Sequence, residues 1–330
     1  MTVTAVLPRS SLHLALLDAN DPRIDHVLYR DSHLREDIER RYPGKAVYLG
    51  REGRLPRNPR GAMRQIAENR AYYGRVREML EPLGIERLIL FLEGEPLERM
   101  IADWFEGPIE LWEEGLSHYI DLTSPLWYAA RGAAQIVSGF YPRGALRRRA
   151  DRGRMIVRDR FERRNLAWDY PVLAAPEDAV LFIGSPLVDD GILTRDQLAD
   201  GLAQVARIAG VPLHYLPHPR EDRSGLLPML AGIDNVAMAP DPHGLTRHVT
   251  QHGYRAFVAP VSTALLDLGA FDNSLFVPAL FGEKRMDQAL RSWSANPVKV
   301  AADVNEAAAF LSSRKAAPLH QLRAEASPAG

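Results

Sequence analysis

The segment from residue 179 to residue 219 decides the fold. It opens with AVLFIGSP (residues 179–186) and closes with VPLHYLPHP (residues 211–219). Both stretches are short apolar runs bounded by glycine, serine or proline, which is typical of buried strands. Between them, residues 194–208 repeat apolar side chains at helical spacing, and Gly210 follows as a helix terminator. The segment therefore predicts a strand–helix–strand unit with parallel strands.

The same alternation runs through both halves of the 330-residue chain. Strands are predicted at residues 3–7, 26–29, 46–49, 87–92 and 109–112, and again at 179–183, 211–216, 235–238 and 255–261. Helices are predicted at residues 61–80 and from Pro96 onward. This pattern is typical of the α/β class, with helices on both faces of parallel sheets. At roughly 150 residues per domain, we expect two Rossmann-like domains facing across a cleft, at residues 1–168 and 169–330.

Composition excludes several classes of protein. There are 41 Lys and Arg residues against 42 Asp and Glu, and no cysteine. The missing cysteines exclude a disulfide scaffold, a zinc-thiolate or iron–sulfur site and a thiol nucleophile. The near-neutral charge argues against a general nucleic-acid binder. Since no apolar run is long enough to span a bilayer, we expect a cytoplasmic protein.

One local charge run departs from this balance. Ten arginines stand between Arg143 and Arg164, against three acidic residues. One interpretation is a solvated linker or the basic face of a helix. The other is a patch for anionic lipid headgroups or an anionic acceptor, which would hold the protein peripherally at the inner face of a membrane.

Chemistry is expected just after the strands, because ligands of open parallel sheets bind beyond the carboxyl ends of the strands. Four clusters occupy such positions: Ser10-Ser11, Glu113-Glu114-Gly115, Pro217-His218-Pro219 and Ser262-Thr263.

The acidic triplet offers a general base. Adjacent residues of an extended chain point to opposite faces, so only one of Glu113 and Glu114 can face a cleft fully. Apolar surroundings such as Trp112 would raise the pKa of that carboxyl toward the working pH. Gly115 permits a sharp turn afterwards. The alternative is an exposed acidic turn.

The histidine cluster presents an imidazole from a stiff segment. Pro217 and Pro219 have fixed φ angles, and each biases the residue before it toward extended backbone. His218 therefore either serves a ligand or belongs to a surface turn. His214, within the preceding strand, is expected to be a packed residue.

The hydroxyl clusters have two compatible roles. Ser262 and Thr263 precede ALLDL (residues 264–268), which predicts a helix, so they can cap it or donate to a phosphate. The Ser10-Ser11 pair and the Gly184-Ser185 pair allow the same two roles.

The sequence lacks several motifs that indicate particular classes of enzyme. The chain has no D-x-D metal clamp, no G-x-x-x-x-G-K-[ST], no G-x-G-x-x-G and no G-x-S-x-G. We therefore expect no metal site and no cofactor, and a donor that has little charge to neutralise.

Taken together, the motifs resemble bacterial sialyltransferases of the lipooligosaccharide and capsule polysialyltransferase type. The shared features are the acidic triplet after a first-half strand, His-Pro after a second-half strand, and the Ser/Thr pair about forty residues later. SSL (residues 10–12) and LFIGSPL (residues 181–187) look like the starts of that group's two domains. Glu-Glu stands where many members have one or two aspartates. Asp189-Asp190-Gly191 also fits the triplet, but it lies in the second half and is interpreted as a loop.

The resemblance implies a GT-B fold and the donor CMP-sialic acid. It implies that Glu114, with Glu113 as the alternative, deprotonates the acceptor hydroxyl, and that His218 contacts the CMP phosphate. Donor-binding roles would fall to Ser10, Ser11, Gly184, Ser185, Pro219, Ser262 and Thr263. A monophosphate leaving group can be stabilised by such groups without a metal.

The predicted function is thus inverting, metal-independent transfer of sialic acid, or a related nonulosonic acid, from its CMP donor to a glycan or glycolipid hydroxyl. Two alternatives remain open. One is a GT-B transferase that uses CMP-Kdo or a UDP- or GDP-sugar, and the other is a non-catalytic nucleotide or sugar binder.

Overall fold

A computed structural model describes residues 2–10, 13–14, 16–17, 23–92, 94–112, 115–120, 125–142, 155–158, 177–218, 220–240 and 245–318. The chain divides into two compact units, Met1–Ala167 and Trp168–Gly330. The sequence prediction placed this division between residues 168 and 169.

The first unit is built on a six-stranded sheet, counted over its described residues. Its strands are β1 (Thr4–Leu7), β2 (His26–Tyr29), β3 (Ala46–Tyr48), β4 (Arg87–Leu90), β5 (Ile109–Trp112) and β6 (Met155–Arg158). They lie in the order β3-β2-β1-β4-β5-β6, and every neighbouring pair is parallel. This is the strand order of a Rossmann fold, whose topological switch point lies between β1 and β4.

Helices cover the sheet of the first unit. They are α1 (Arg35–Arg41), α2 (Pro59–Leu80), α3 (Pro96–Trp104) and α4 (Pro125–Val137). Successive residues of a strand face opposite sides, so Ala5 and Leu7 pack in the cluster that contains Val76 of α2, whereas Val6 packs with Leu14 on the other face. Because both faces are buried, the strands read as continuous apolar runs.

The second unit repeats this architecture. Its strands are β7 (Val180–Ile183), β8 (Leu213–Leu216), β9 (Val236–Met238), β10 (Ala256–Ala259), β11 (Ser274–Phe276) and β12 (Lys299–Val300). Its helices are α5 (Arg195–Ala209), α6 (Arg223–Ala231), α7 (Leu245–Gln251), α8 (Ala264–Leu268), α9 (Lys284–Ser292) and α10 (Val304–Ser312). The parallel order β12-β11-β10-β7-β8-β9 is again that of a Rossmann fold, with the switch point between β7 and β10.

The arginine run differs from its prediction as a linker or helix. Met155–Arg158, which lies within it, is a strand that pairs in parallel with β5. MIVR is a short β-branched run, and pairing with the neighbouring strand satisfies its backbone groups, which overrides the surrounding charge. The rest of the run from Arg143 to Arg164 lies outside the described residues.

None of the helices in the described ranges has the length and apolar character required to cross a bilayer.

Candidate functional site

The second unit brings several of the sequence-predicted residues to one edge of its sheet. In the ladder, Ile183 of β7 lies opposite Leu216 of β8, and Phe182 lies opposite Val258 of β10. Ser185 and His218 each come two residues beyond the Ile183–Leu216 pair. The residues that follow the three central strands therefore reach the same level, at the switch point where ligands of this fold bind.

The ends of β7 and β10 are tied together by Ser185. Its hydroxyl donates a hydrogen bond to the carbonyl of Val261. A serine has one O–H to donate, so in this structure Ser185 can only accept a further bond from a ligand. That suits a ribose hydroxyl or a base amino group better than a phosphate oxygen.

Gly184 is required by packing. Its N–H donates to the carbonyl of Leu216 at 2.8 Å. A Cβ at this position would overlap Glu221 Oε2 and lie 2.9 Å from the hydroxyl of Tyr215. Glycine thus lets β7 approach the turn that carries His218.

The imidazole of His218 is oriented by its own turn. The Glu221 N–H donates to the His218 carbonyl at 3.0 Å, which closes a four-residue turn. The Arg220 N–H donates to His218 Nδ1 at 3.1 Å. Since Nδ1 accepts, the proton of the neutral ring resides on Nε2. No hydrogen bond to Nε2 occurs within the described ranges, so this N–H is available as a donor.

A half-buried carboxylate, that of Glu221, holds the turn in place. Glu221 Oε2 accepts a hydrogen bond from the His218 N–H at 2.6 Å, and its Oε1 accepts one from the Tyr215 hydroxyl at 2.6 Å. Tyr215 is fully buried in β8. The position of His218 is therefore set by a strand residue and a carboxylate, in addition to the flanking prolines.

The electrostatics favour a neutral imidazole. Burial lowers the pKa of His218, the nearby Arg220 guanidinium adds to this, and Asp190 opposes it. Burial raises the pKa of Glu221, while its hydrogen bonds from Tyr215 and from the His218 N–H act in the opposite direction. At neutral pH the site therefore offers a neutral Nε2–H donor.

Two hydroxyl side chains follow β10. The Ser262 hydroxyl accepts a hydrogen bond from the Ala264 N–H at 3.3 Å, so its own proton remains a possible donor to a ligand. Thr263 is the first residue before α8, and its side chain makes no capping hydrogen bond. Both residues are partly exposed. The predicted cap is thus supplied by Ser262, not by Thr263.

The loop prediction for Asp189-Asp190-Gly191 is confirmed, because residues 187–191 form a turn. Asp190 makes a two-pronged ion pair with the guanidinium of Arg220, at 3.1 and 3.2 Å. His214 is also confirmed as a packed residue, since its ring lies edge-on to Tyr254 with 5.8 Å between centroids.

In the first unit, Ser10 acts as a cap. Its hydroxyl accepts a hydrogen bond from the His13 N–H at 3.3 Å. Gly115 lies at a bend (φ 178°, ψ −171°) directly before the 3-10 helix Leu116–His118, so the chain turns after the acidic pair, as predicted. The remaining predicted site residues, Ser11, Glu113, Glu114 and Pro219, lie outside the described residues.

Sequence reasoning missed the supporting carboxylate. Glu221 follows His218 by three residues, which is the spacing of a turn that closes on itself. Its partner Tyr215 lies on the strand, so the contact depends on tertiary packing. Within the described ranges, no group of three or more His, Asp or Glu side chains is arranged to hold a metal ion.

Comparison with known proteins bears on the fold. No protein-family model matches the chain, and no curated protein matches it. Among solved structures, the UDP-GlcNAc 2-epimerase of Methanocaldococcus jannaschii, in complex with UDP-GlcNAc and UDP, is 12% identical with a TM-score of 0.53. That match covers 94% of this chain and 91% of the epimerase.

A second protein gives a similar result in two structures. Arabidopsis thaliana UGT89C1 complexed with UDP is 12% identical with a TM-score of 0.53, covering 99% of this chain and 94% of that one. Its complex with UDP-L-rhamnose has a TM-score of 0.51 at 13% identity, covering 98% and 93%. These likenesses and the two Rossmann-like units confirm the GT-B fold.

Proposed function

We propose that this chain is a glycosyltransferase that moves a sialic-acid-type sugar from its CMP donor to a glycan hydroxyl, with inversion and without a metal. The proposal rests chiefly on the Nε2–H donor of His218, whose backbone is held by Glu221 after β8, the strand next to the switch point of the second unit. Transfer of a CMP-linked sugar breaks the bond between the anomeric carbon and a phosphate oxygen, so negative charge develops on that oxygen. A donor that is positioned beforehand stabilises the developing charge.

The other site residues fit the same leaving group. The hydroxyl protons of Ser262 and Thr263 would donate to phosphate oxygens, and Ser185 Oγ would accept from the nucleoside. A neutral histidine and hydroxyl donors match the single phosphate of CMP. A diphosphate carries more charge and is commonly matched by arginine, lysine or a metal ion.

The base of the reaction would come from the first unit. Glu114, or Glu113 in its place, would take the proton of the acceptor hydroxyl as that oxygen attacks the anomeric carbon. Attack from the face opposite the departing CMP inverts the configuration. The proton ends on the glutamate, and the electron pair of the broken bond leaves with CMP.

A UDP-sugar donor is the second candidate. It is supported by the UDP and UDP-sugar complexes of the structural neighbours. Those proteins are 12–13% identical to this chain, so they inform the fold and leave the donor to experiment.

The experiment measures nucleotide release from purified protein in EDTA, with CMP-sialic acid, CMP-Kdo, UDP-GlcNAc and UDP-rhamnose as separate donors. We expect release of CMP from CMP-sialic acid. Glu114→Gln and His218→Ala should each lower acceptor-dependent turnover about a hundredfold or more. His33→Ala is the matched control, because His33 is an exposed histidine in the other unit and should retain the wild-type rate.

Three results would overturn the proposal. Turnover of UDP-sugars alone would favour the second candidate. Tight binding of nucleotides without turnover of any donor would indicate a non-catalytic binder. Wild-type rates in both the Glu114 and the His218 variants would remove the site assignment.

The proposal includes a peripheral position at the inner face of a membrane, mediated by the arginines between Arg143 and Arg164. Binding to anionic vesicles should then fall steeply as salt rises, because surface charges are screened. Salt-independent binding, or none, would contradict it.

A further inference from the structure

A cavity of about 530 Å³ opens in the first unit. Its lining includes Arg30, Arg51, Glu52, Arg54, Glu95 and Arg131. These residues follow β2 and β3, precede α3 or lie on α4, so the cavity stands at the carboxyl edge of the sheet, where ligands of this fold bind. The volume is in the range of small-molecule sites.

The described residues that line this cavity include more positively charged than negatively charged side chains. Arg30 pairs with Glu52 at 3.4 Å, and Arg131 lies 3.9 Å from Glu95. Arg51 and Arg54 make no ion pair with any residue that the structure describes. Among the described residues, the lining of the cavity therefore has four guanidinium groups against two carboxylates, an excess of two positive charges.

The loop that carries the two unpaired arginines is held rigidly. The buried side chain of Asn69, on α2, accepts from the Gly53 N–H at 2.8 Å and donates to the Gly53 carbonyl at 3.0 Å. The hydroxyl of Tyr72, one helical turn later, donates to the Gly50 carbonyl at 3.1 Å. The loop is thus fixed on both sides of Arg51, and its conformation does not have to be ordered when a ligand binds.

One of the two acidic side chains of the cavity, Glu52, already has structural partners. Glu52 accepts a hydrogen bond from the Tyr73 hydroxyl at 2.7 Å as well as pairing with Arg30. An incoming anion would therefore meet Arg51 and Arg54 without having to displace Glu52 from its partners. Guanidinium groups bind carboxylate and phosphate oxygens in two-pronged geometry, which makes them selective for oxyanions.

We propose that this cavity binds the oxyanion of an acidic sugar, through Arg51 and Arg54, and that the acceptor glycan carries this group. The second half of the proposal rests on the proposed function, while the binding of the acidic sugar does not. A second cavity of about 450 Å³, lined in part by the same Arg51 and Gly53, gives room for the rest of the glycan. The chemistry is that of a carboxylate or a phosphate on a sugar.

The test measures ligand binding by titration calorimetry with the whole protein and no donor present. The probes are 3′-sialyllactose against lactose, for a carboxylate, and galactose 6-phosphate against galactose, for a phosphate. We expect one of the acidic sugars to bind at least about tenfold tighter than its neutral counterpart, and more weakly as salt rises. The acidic sugar that binds more tightly than its neutral counterpart shows whether the bound oxyanion is a carboxylate or a phosphate.

Two double variants separate the cavity from general charge. Arg51→Gln with Arg54→Gln should abolish the preference for the acidic sugar. Arg57→Gln with Arg60→Gln removes the same charge from exposed neighbours that line neither cavity, and should leave affinity within about twofold. Equal losses in both variants, or no preference for either acidic sugar in the wild type, would overturn the proposal. Because no donor is present, this result is independent of whether the protein uses CMP-sialic acid.

Discussion

Replacing Gly184 by alanine tests whether the end of β7 positions the turn of His218. The added methyl group would overlap Glu221 Oε2 and lie 2.9 Å from the Tyr215 hydroxyl and 3.0 Å from the Leu216 carbonyl. The Leu216 carbonyl is held in the β7–β8 ladder by the Gly184 N–H itself. The side chain of Glu221 is thus the group that must move.

The magnitude follows from two costs. Overpacking of a filled site costs about 1–3 kcal/mol. A hydrogen bond to a carboxylate is worth about 1.5–3 kcal/mol, and displacement of Glu221 weakens its bonds from Tyr215 and from the His218 N–H. We expect a loss of roughly 3 kcal/mol in the free energy of unfolding, and a fall in turnover of at least about tenfold because the imidazole loses its fixed orientation.

The assay is urea unfolding followed by far-ultraviolet circular dichroism, together with nucleotide release. The midpoint should fall by about 1 M. Gly74→Ala is the matched control, because Gly74 lies inside α2 and, among the described residues outside its own turn of helix, no atom lies within 4 Å of the added methyl group. That variant should raise stability by up to about 1 kcal/mol and leave turnover unchanged. Wild-type stability and turnover in Gly184→Ala would refute the reasoning.

Two further predictions concern ionisable side chains that the fold removes from water. Burial lowers the pKa of His214, and Glu177 opposes that shift. Between the folded pKa of His214 and about pH 6.5, the unfolded chain binds a proton that the folded chain does not, so stability should fall as pH drops through this window. The difference between the urea midpoints at pH 7 and pH 5 should therefore be smaller in His214→Gln than in the wild type. A difference equal to that of the wild type would contradict the assignment. The fully buried Glu98 pairs with Arg9 at 2.6 Å, so Arg9→Met should destabilise the protein by about 3–5 kcal/mol, and adding Glu98→Leu should restore most of it. If the double variant is as unstable as Arg9→Met, the loss in the free energy of unfolding comes from altered packing and not from the unpaired carboxylate of Glu98.

The sequence predicts the fold where strands are buried on both faces. Such strands are continuous apolar runs, and the predicted bounds 26–29 and 109–112 coincide with β2 and β5. The three-residue β11 and the two-residue β12 were not predicted, and β12 is too short to show any periodicity. β6 was missed because arginines surround it, and only pairing with β5 makes it a strand.

The site was predictable only in part. His218 was indicated by its two proline neighbours, and the Ser262-Thr263 pair by its place after a strand. Glu221 and the cavity arginines depend on contacts between different elements, such as Tyr215 with Glu221 and Asn69 with Gly53. No local pattern in the sequence encodes such contacts.

The measurement that bears most directly on the account is a crystal structure of the protein soaked with CMP. A phosphate oxygen that accepts a hydrogen bond of about 2.7–3.0 Å from Nε2 of His218, with a hydroxyl of the Ser262-Thr263 pair on the same phosphate, is the predicted result. A phosphate seated away from that nitrogen, at another edge of the second unit or on the first unit, would contradict the account.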